Sequence, residues 1–176
     1  IVSAPFVISF LKPYQKLRIL TFLDPDRDPL GAGYQIIQSK IAVGSGGITG
    51  KGFLKGTQSY LEFLPEKHTD FIFTLFSEEF GFLGSVFLLL VYSLMIYRII
   101  VIGNLSRNFF GKLFCYGFAS SIFFYIVINM SMVLGLVPIV GSPLPIMSYG
   151  GSSMLATMFG ISIVMSTKIY QRQLIA

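Results

Sequence analysis

The chain has 176 residues, of which 53% are hydrophobic and only 12% are charged, and its net charge is +5. Soluble domains carry about 25% charged residues, so this composition excludes an ordinary soluble domain and predicts an integral membrane protein. The basic excess fits membrane topology and anionic lipid better than nucleic acid. A single cysteine, Cys115, excludes an internal disulfide and a thiolate metal site.

The first segment, residues 1–11, is apolar but too short to cross a hydrocarbon core of about 30 Å as a helix. It lacks the basic start and the small-residue cleavage site of a signal peptide. We therefore interpret it as the end of a transmembrane helix whose beginning is missing, and we expect the chain to be a C-terminal fragment of a longer protein.

Residues 12–69 are more polar and predict an external loop that contains short helices in the membrane interface. Residues 13–22 begin with a proline, a favoured first helical position, and mix apolar with basic side chains. Such basic side chains can extend to the head groups while the apolar ones face lipid. The helical spacing of Tyr34, Ile37 and Ile41 predicts a second surface helix.

A glycine-rich stretch, Gly44–Gly52, follows this second helix. A phosphate-binding P-loop is excluded, because Ser45 stands where its first glycine should be and Gly52 follows Lys51 where Ser or Thr is needed. Two interpretations stay open. One is a flexible or close-packed turn, and the other is a backbone nest for a pyrophosphate lipid head group, with Lys51 or Lys55 nearby.

The junction from Phe63 to Phe73 places acidic and basic side chains and the only histidine, His68, at the start of a membrane-length apolar segment. Ionisable groups are costly at that boundary, so their presence there requires a structural or functional reason. Asp70 is either a catalytic carboxylate or a cap that complements the helix dipole. His68 suits an interfacial hydrogen bond better than metal binding, because no second ligand lies at a recognisable spacing.

Residues 70–97 are predicted to form the first complete transmembrane helix. One continuous helix would carry a polar stripe on one face, opposite a row of phenylalanines. The stripe comprises Asp70, Thr74, Ser77, Glu78, Gly81 and Ser85. Lipid cannot solvate it, so it must face protein or a wet cavity. For Glu78 an interhelical hydrogen bond is the favoured interpretation, and a place in the substrate path is the alternative.

The remaining sequence has no Asp, Glu, Lys or Arg between Leu113 and Thr167. As one helix this stretch would extend roughly 80 Å, so it must fold back once within the bilayer. Prolines and glycines mark the turn. The predicted segments are a cytoplasmic loop at 98–112, transmembrane helices at 113–137 and 151–168, an external Pro/Gly turn at 138–150, and a cytoplasmic tail at 169–176.

The short loops decide the predicted orientation. The loop at 98–112 carries Arg98, Arg107 and Lys112 without an acid, whereas the turn at 138–150 carries no charge. By the positive-inside rule the basic loop and the C-terminal tail are cytoplasmic, and the turn is external. Residues 12–69 are then external as well.

The external turn contains two further candidates, Ser148 and Tyr149. Its prolines and glycines suit a re-entrant connector that is buried in protein, whereas the two hydroxyls would suit the wall of a substrate cavity. Both interpretations stay open. The predicted orientation places this turn on the same side of the membrane as Asp70.

Four sets of residues form recognisable motifs. They are the stretch from Gly33-Tyr34-Gln35 to Gly52, Gly56-Thr57-Gln58, the 63–73 junction, and a signature running from Asn129 through Gly135, Pro138 and Gly141 to Ser148-Tyr149-Gly150-Gly151-Ser152-Ser153. Together they strongly resemble the SEDS family of bacterial shape, elongation, division and sporulation proteins. The stretches 22–31 and 61–66 resemble its rod-shape-determining branch more than its division branch. One position departs, since Ser142 stands where an aliphatic residue is usual.

This resemblance implies an all-α integral membrane protein, a polytopic bundle of about ten transmembrane helices. The chain would contribute the last four helices and the large external loop, in the bacterial inner (cytoplasmic) membrane. The implied activity is that of a peptidoglycan glycosyltransferase, which polymerises lipid II during cell elongation and rod-shape maintenance. The fragment alone would be an incomplete enzyme.

The family's essential carboxylate corresponds to Asp70, the expected general base of an inverting transfer. Candidate substrate-binding side chains are Lys51, Lys55, Lys67, His68, Glu78, Ser148 and Tyr149. Lysines or a divalent cation, Mg²⁺ or Mn²⁺, would stabilise the departing pyrophosphate, and no metal ligands are assigned. The implied partners are lipid II, a class B penicillin-binding protein that cross-links the product, the elongation machinery and membrane lipids.

Two other functions stay open. The protein could be a lipid II flippase, because polar side chains inside transmembrane helices also suit a transport path. It could instead be a non-catalytic scaffold that recruits the penicillin-binding protein. A glycoside hydrolase is disfavoured, because such enzymes usually need two opposed carboxylates and Asp70 is the one clear candidate.

Overall fold

The computed structural model describes residues 12–24, 31–56 and 69–170. Within these ranges the chain is helical, without strands. The helices are α1 (Pro13–Leu23), α2 (Ala32–Ser45), α3 (Ile72–Leu105), α4 (Phe109–Val133) and α5 (Gly151–Ile169). The interpretations of residues 1–11 and of most of the 169–176 tail fall outside the described residues.

The two short helices predicted in the long polar segment are present as α1 and α2. The Arg18 guanidinium of α1 donates a hydrogen bond to the Ile139 carbonyl at 3.0 Å. The buried Ser39 hydroxyl of α2 bonds the Val133 carbonyl at 2.9 Å, at the last residue of α4. Both helices therefore lie against the same end of the bundle, where α4 ends.

The three long helices, α3, α4 and α5, are each long and apolar enough to cross a membrane. Many large apolar side chains on them are exposed, as lipid-facing surfaces require. A buried apolar cluster joins these helices to the turn before α5. Its members are Phe71, Phe73, Tyr92, Ile99, Cys115, Ala119, Ile122, Ile126, Met130, Val133, Leu144 and Val164.

The helix ends differ from the predicted boundaries. α3 continues to Leu105 and α4 begins at Phe109, so residues 106–108 connect them, instead of the loop predicted at 98–112. The residues after Arg98 are apolar and Ile99 is buried, while the exposed arginine can extend toward polar surroundings. α4 ends before 137 because Gly135 has a positive φ of 66°, which terminates the helix.

The span predicted at 70–97 is interrupted at Gly81, where φ is 66° and ψ is −162°. We call residues 72–80 α3a and residues 82–105 α3b. A straight helix would separate Ile72 from Tyr92 by about 30 Å. Yet Tyr92 and Thr69 both bond the short turn at 144–148. The helix therefore bends sharply at Gly81, and α3b alone is long enough to cross a core of about 30 Å.

This bend corrects the prediction of one polar stripe along a continuous helix. Thr74, Ser77 and Glu78 are buried on α3a, whereas Ser85 lies beyond the break on α3b and Asp70 lies before the helix begins. The polar side chains of α3a therefore face protein, as the cost of exposing them to lipid requires.

Removing the Tyr92 hydroxyl should destabilise the connection between α3b and the turn. This hydroxyl donates to the buried Pro145 carbonyl at 2.6 Å. Tyr92→Phe leaves that carbonyl without its donor, so we expect the free energy of unfolding to fall by about 1–3 kcal/mol. Thermal unfolding of the detergent-purified full-length protein measures the change. Tyr97→Phe, at an exposed tyrosine of the same helix, is the control. An equal loss in both variants would argue against a stabilising bond.

Candidate active site

Asp70 lies in the turn that precedes α3a, and it is half-buried. The helix begins at Ile72, and its cap position is occupied by Phe71, which is buried and makes no side-chain cap hydrogen bond. Asp70 is therefore not the N-cap residue. Its carboxylate still lies next to the start of the helix, where it can complement the helix dipole, and its main chain also contacts other parts of the chain.

The first of these contacts comes from Asn129, a buried side chain on α4. Its Nδ2 donates to the Asp70 carbonyl at 2.8 Å and to the Ser142 carbonyl at 2.6 Å. Both partners are carbonyl oxygens, which can only accept hydrogen bonds, so the NH₂ group of the Asn129 side chain must face them. This fixes the orientation of the amide. Asn129 binds the main-chain carbonyl of Ser142. This contact is therefore independent of the Ser142 side chain, which replaces the usual aliphatic residue.

The second contact comes from Ser148 in the turn before α5. Its hydroxyl accepts a hydrogen bond from the Leu144 amide at 2.7 Å and donates to the Thr69 carbonyl, also at 2.7 Å. Two successive carbonyls, those of Thr69 and Asp70, are thus bound by two different elements. Gly141 approaches the carboxylate itself, since a Cβ on Gly141 would lie 3.2 Å from Asp70 Oδ2.

Two cavities flank the Asp70 turn. One, of about 650 Å³, is lined by Ile72, by Met154 and by the run from Ile146 to Gly151, which includes Ser148 and the exposed Tyr149. The other, of about 520 Å³, is lined by Gly141, Ser142 and Pro143 together with side chains of α4. Ile72 in the first wall follows Asp70 by two residues, and a Cβ added to Gly141 in the second wall would lie 3.2 Å from Asp70 Oδ2. Ser148 and Tyr149 both line the first cavity, and the Ser148 hydroxyl is engaged with Leu144 and Thr69.

Lys51 and Glu78 are both predicted substrate-binding side chains. In the structure they form an ion pair with each other. The Lys51 ammonium lies 2.7 Å from Glu78 Oε1, and the Glu78 side chain is fully buried. Glu78 follows the first residue of α3a by six residues, which is about 9 Å along the helix, so it lies well beyond the Asp70 turn. Lys55 is exposed on the chain after the glycine-rich loop. The remaining two candidates, Lys67 and His68, fall outside the described residues.

A metal centre needs several ligand side chains that converge. In residues 12–24, 31–56 and 69–170, no group of three His, Cys, Asp or Glu side chains meets that requirement. Within the part of the chain that the structure describes, Asn129 donates to the Asp70 carbonyl and Ser148 to the Thr69 carbonyl.

Asn129 is the residue of this site that sequence reasoning did not assign to it. It begins the C-terminal family signature, in which the resemblance implies no role for it. A signal existed, because it is a strongly polar side chain inside a stretch without charges, and such side chains mark functional or structural contacts in membranes. Its partners could not be identified, because they are main-chain carbonyls distant in the sequence.

Exchanging the Asn129 amide for a carboxylate should disrupt the Asp70 turn. Asn129→Asp keeps the shape but replaces two donated hydrogen bonds by an oxygen facing two carbonyls, in a fully buried place. We expect a loss of about 3 kcal/mol or more in the free energy of unfolding. Urea or thermal unfolding of the purified full-length protein provides the measurement.

The matched control is Asn104→Asp. Asn104 is exposed and its Oδ1 accepts a bond from the Tyr116 hydroxyl, so a carboxylate preserves the contact. It should change stability by less than about 0.5 kcal/mol. If Asn129→Asp is as stable as this control, Asn129 does not hold the turn through its NH₂ group.

These features define a helical integral membrane protein in which a half-buried aspartate is held between an apolar helix and a Pro/Gly turn, at one end of the bundle. The chain belongs to the FtsW/RodA/SpoVE family of cell cycle proteins, whose family model matches residues 1–173. The resemblance inferred from the motifs is thereby confirmed.

Curated relatives support the same family. The chain is 51% identical over 161 residues to the peptidoglycan glycosyltransferase MrdB of Escherichia coli (strain K12), covering 92% of this chain and 44% of that protein. It is 45% identical over 164 residues to the peptidoglycan glycosyltransferase RodA of Treponema pallidum, covering 93% and 38%. The stage V sporulation protein E of Bacillus subtilis is 41% identical over 160 residues, with 91% and 43% covered. The chain thus spans less than half the length of these relatives.

Solved structures are similar as well. One is a chain of a peptidoglycan synthase complex, described for its structural coordination of polymerization and crosslinking. It has a TM-score of 0.71 and 36% identity, covering 98% of this chain and 49% of that one. Another is an aspartate-to-alanine mutant of the rod shape determining protein RodA of Thermus thermophilus. Its TM-score is 0.60 at 35% identity, covering 72% and 39%.

Proposed function

We propose that the protein is a peptidoglycan glycosyltransferase that polymerises lipid II into glycan strands during cell elongation and rod-shape maintenance. Relatives at 51% and 45% identity carry the name peptidoglycan glycosyltransferase, which supports the assignment. Because this chain spans less than half of those relatives, the activity belongs to the full-length protein.

The observation that carries the proposal is the way Asp70 is held. A general base must keep a fixed position relative to the hydroxyl from which it takes a proton. The carbonyls of Thr69 and Asp70 are bound by Ser148 and Asn129, so the main chain on which the carboxylate stands is constrained from two sides. Cavities of about 650 and 520 Å³, whose walls include Ile72 and Gly141, are large enough for parts of two sugar-bearing substrates.

In the proposed reaction, Asp70 accepts the proton of the acceptor sugar's 4-hydroxyl as that oxygen attacks the anomeric carbon of the donor. The new glycosidic bond forms as the bond to undecaprenyl pyrophosphate breaks, and the electron pair leaves with the pyrophosphate. An α-linked donor and a β-linked product require inversion, so one carboxylate suffices and no covalent intermediate with the enzyme is needed.

The departing pyrophosphate needs positive charge or hydrogen-bond donors. Gly150 and Gly151 lie in the wall of the larger cavity, where α5 begins, and the first amides of a helix attract anions. We assign the leaving group to this wall, with Tyr149, Lys55, Lys67 and His68 as further candidates. Assays with and without Mg²⁺ or Mn²⁺ would test whether a divalent cation contributes.

For the surroundings, we propose a multi-pass protein of the bacterial inner membrane, with residues 106–108 and the C-terminus cytoplasmic and the Asp70 turn external. The basic residues Arg98, Arg107 and Lys112 near the short connection support this orientation. A class B penicillin-binding protein of the elongation machinery is the proposed partner. The similarity to a chain of a peptidoglycan synthase complex supports that choice.

Reconstitution of the purified full-length protein with labelled lipid II, together with its penicillin-binding protein, tests the function. The expected product is a ladder of glycan strands that forms even when the transpeptidase is inhibited. Lipid II translocation across vesicles without any glycan would favour a flippase. A complex that assembles normally but yields neither product would favour a scaffold.

A further inference from the structure

The break at Gly81 leaves main-chain groups of α3 without partners in their own helix, and the glycine-rich loop supplies them. The amides of Lys51 and Gly52 donate to the carbonyls of Glu78 and Glu79, at 3.1 and 3.0 Å. In the opposite sense, the amides of Phe82 and Leu83 donate to the carbonyls of Gly47 and Ile48, at 2.9 and 3.1 Å. The loop thus supplies two donors before the break and two acceptors after it, which satisfy main-chain groups that a transmembrane segment cannot leave unpaired.

The loop enters the break so closely that side chains would not fit. A Cβ on Gly81 would lie 2.7 Å from the Ile48 carbonyl oxygen and closer still to the Gly50 amide nitrogen. A Cβ on Gly50 would in turn collide with the main chain of Glu79. The amides of Lys51 and Gly52 are engaged here, and that of Gly50 donates to the Gly46 carbonyl, so these three donors do not form a phosphate nest.

The ion pair between Lys51 and Glu78 lies at the same place. The ammonium lies 2.7 Å from a Glu78 side chain that is completely buried, whereas the Lys51 side chain is 27% exposed, so removing Lys51 takes this counter-charge from a buried carboxylate. Losing one member of a buried pair is strongly destabilising, whereas replacing both by apolar groups is often neutral. Because the pair joins the loop to α3a, it also fixes the segment that leads to Asp70.

We propose that residues 44–52 form a structural insert that sets the bend of α3 at Gly81, and that Lys51 is a positioning residue for Asp70, acting through Glu78, instead of a ligand of substrate phosphate. This inference rests on the proposed function in assigning catalysis to Asp70. The role of the ion pair in the fold does not depend on that assignment.

A double-mutant cycle in the full-length protein separates the two roles. The variants are Lys51→Met, Glu78→Met and the double replacement, with the exchanged pair Lys51→Glu/Glu78→Lys as a second way to restore pairing. We expect each single variant to lower the Tm by at least about 5 °C and the double variant to recover most of that loss. Hydrogen exchange of the amides at 47–52 and 78–83 should rise and recover in parallel.

Polymerisation of lipid II provides the second measurement. Each single variant should reduce kcat at least tenfold with little change in KM, on the order expected when a catalytic group is displaced. The double variant should return to within about threefold of the unmodified protein, because positioning is restored without any cation at residue 51. Glu79→Met and Lys112→Met are matched controls for the lost charges, at the neighbouring acid and at an exposed lysine.

The outcomes are distinct. A double variant that recovers its Tm but stays as inactive as Lys51→Met, with a raised KM, would show that the ammonium binds substrate and would overturn the proposal. Single variants with unchanged Tm and hydrogen exchange would also overturn it. If Asp70→Asn polymerises normally, the proposed function fails, and the Tm cycle still decides whether the pair holds the insert.

Discussion

Replacing Asp70 with asparagine is expected to lower the rate of lipid II polymerisation by about 10²–10⁴-fold, the usual contribution of a general base. Asparagine has nearly the same shape but cannot accept the proton of the attacking hydroxyl. Two contacts that hold this turn use the carbonyls of Thr69 and Asp70, and both remain in the variant. The loss should therefore appear mainly in kcat, and it should be much larger than any change in Tm or in the amount of protein in the membrane accounts for.

Glu79→Gln is the control for this experiment, because it removes a carboxylate from α3a one residue after the buried Glu78. It should retain activity within about twofold, since a half-buried side chain away from the Asp70 turn contributes little to the reaction. Undiminished polymerisation by Asp70→Asn would exclude the general-base role. An equal loss in both variants would point to a general effect of charge on α3a.

Gly81→Ala should produce the largest change in folding. The residue has a φ of 66°, which an L side chain adopts only with strain, and a Cβ there would press into the main chain of Ile48, Thr49 and Gly50. Strain and collision together should cost about 3 kcal/mol or more. We expect a lower Tm of the purified full-length protein, reduced accumulation in the membrane, and faster hydrogen exchange in residues 47–52.

Gly117→Ala provides the comparison, because a Cβ on Gly117 meets nothing within 4 Å. This glycine lies inside α4, so alanine should leave stability unchanged or raise it by up to about 1 kcal/mol. If Gly81→Ala behaves like Gly117→Ala, the bend of α3 does not depend on a glycine at that position.

The membrane helices were largely predictable, because hydrophobicity acts on each segment locally. A stretch without charges from Leu113 to Thr167 can satisfy its backbone in lipid only as helices, and the prolines and glycines between them indicate where the chain turns. The short surface helices followed from their periodic side chains in the same way. The helix ends were less predictable, since Arg98 does not end a helix when its neighbours are apolar.

The bend at Gly81 was not predictable from the pattern. Polar residues on both sides of the break keep the spacing of a single helix, so periodicity alone favours a continuous one. A glycine inside a helical pattern is usually tolerated, and here it becomes a break because a loop some thirty residues earlier fits into it. The contacts between residues 47–52 and 78–83 join distant parts of the chain, and local sequence patterns do not predict them.

The candidate site was also predictable only in part. Asp70 was identifiable because an ionisable group at the membrane boundary requires an explanation, and the family resemblance then gave it a role. The positions of Asn129 and Ser148 beside it depend on hydrogen bonds to main-chain carbonyls, which any residue could provide. Lys51 and Glu78 were both candidates from the sequence, but their pairing is a contact between residues 27 positions apart, which periodicity does not predict.

The two ends of α3a are fixed independently, by the insert at Gly81 and by Asn129 and Ser148 at the Asp70 turn. The structure therefore constrains the number of residues between these two ends as strongly as it constrains which residues they are. Inserting or deleting one residue within 72–80 would rotate one end by about 100° relative to the other and shift it by about 1.5 Å. The segment acts as a spacer of set length, so variation in chain length should be tolerated in the surface connections and not within α3a.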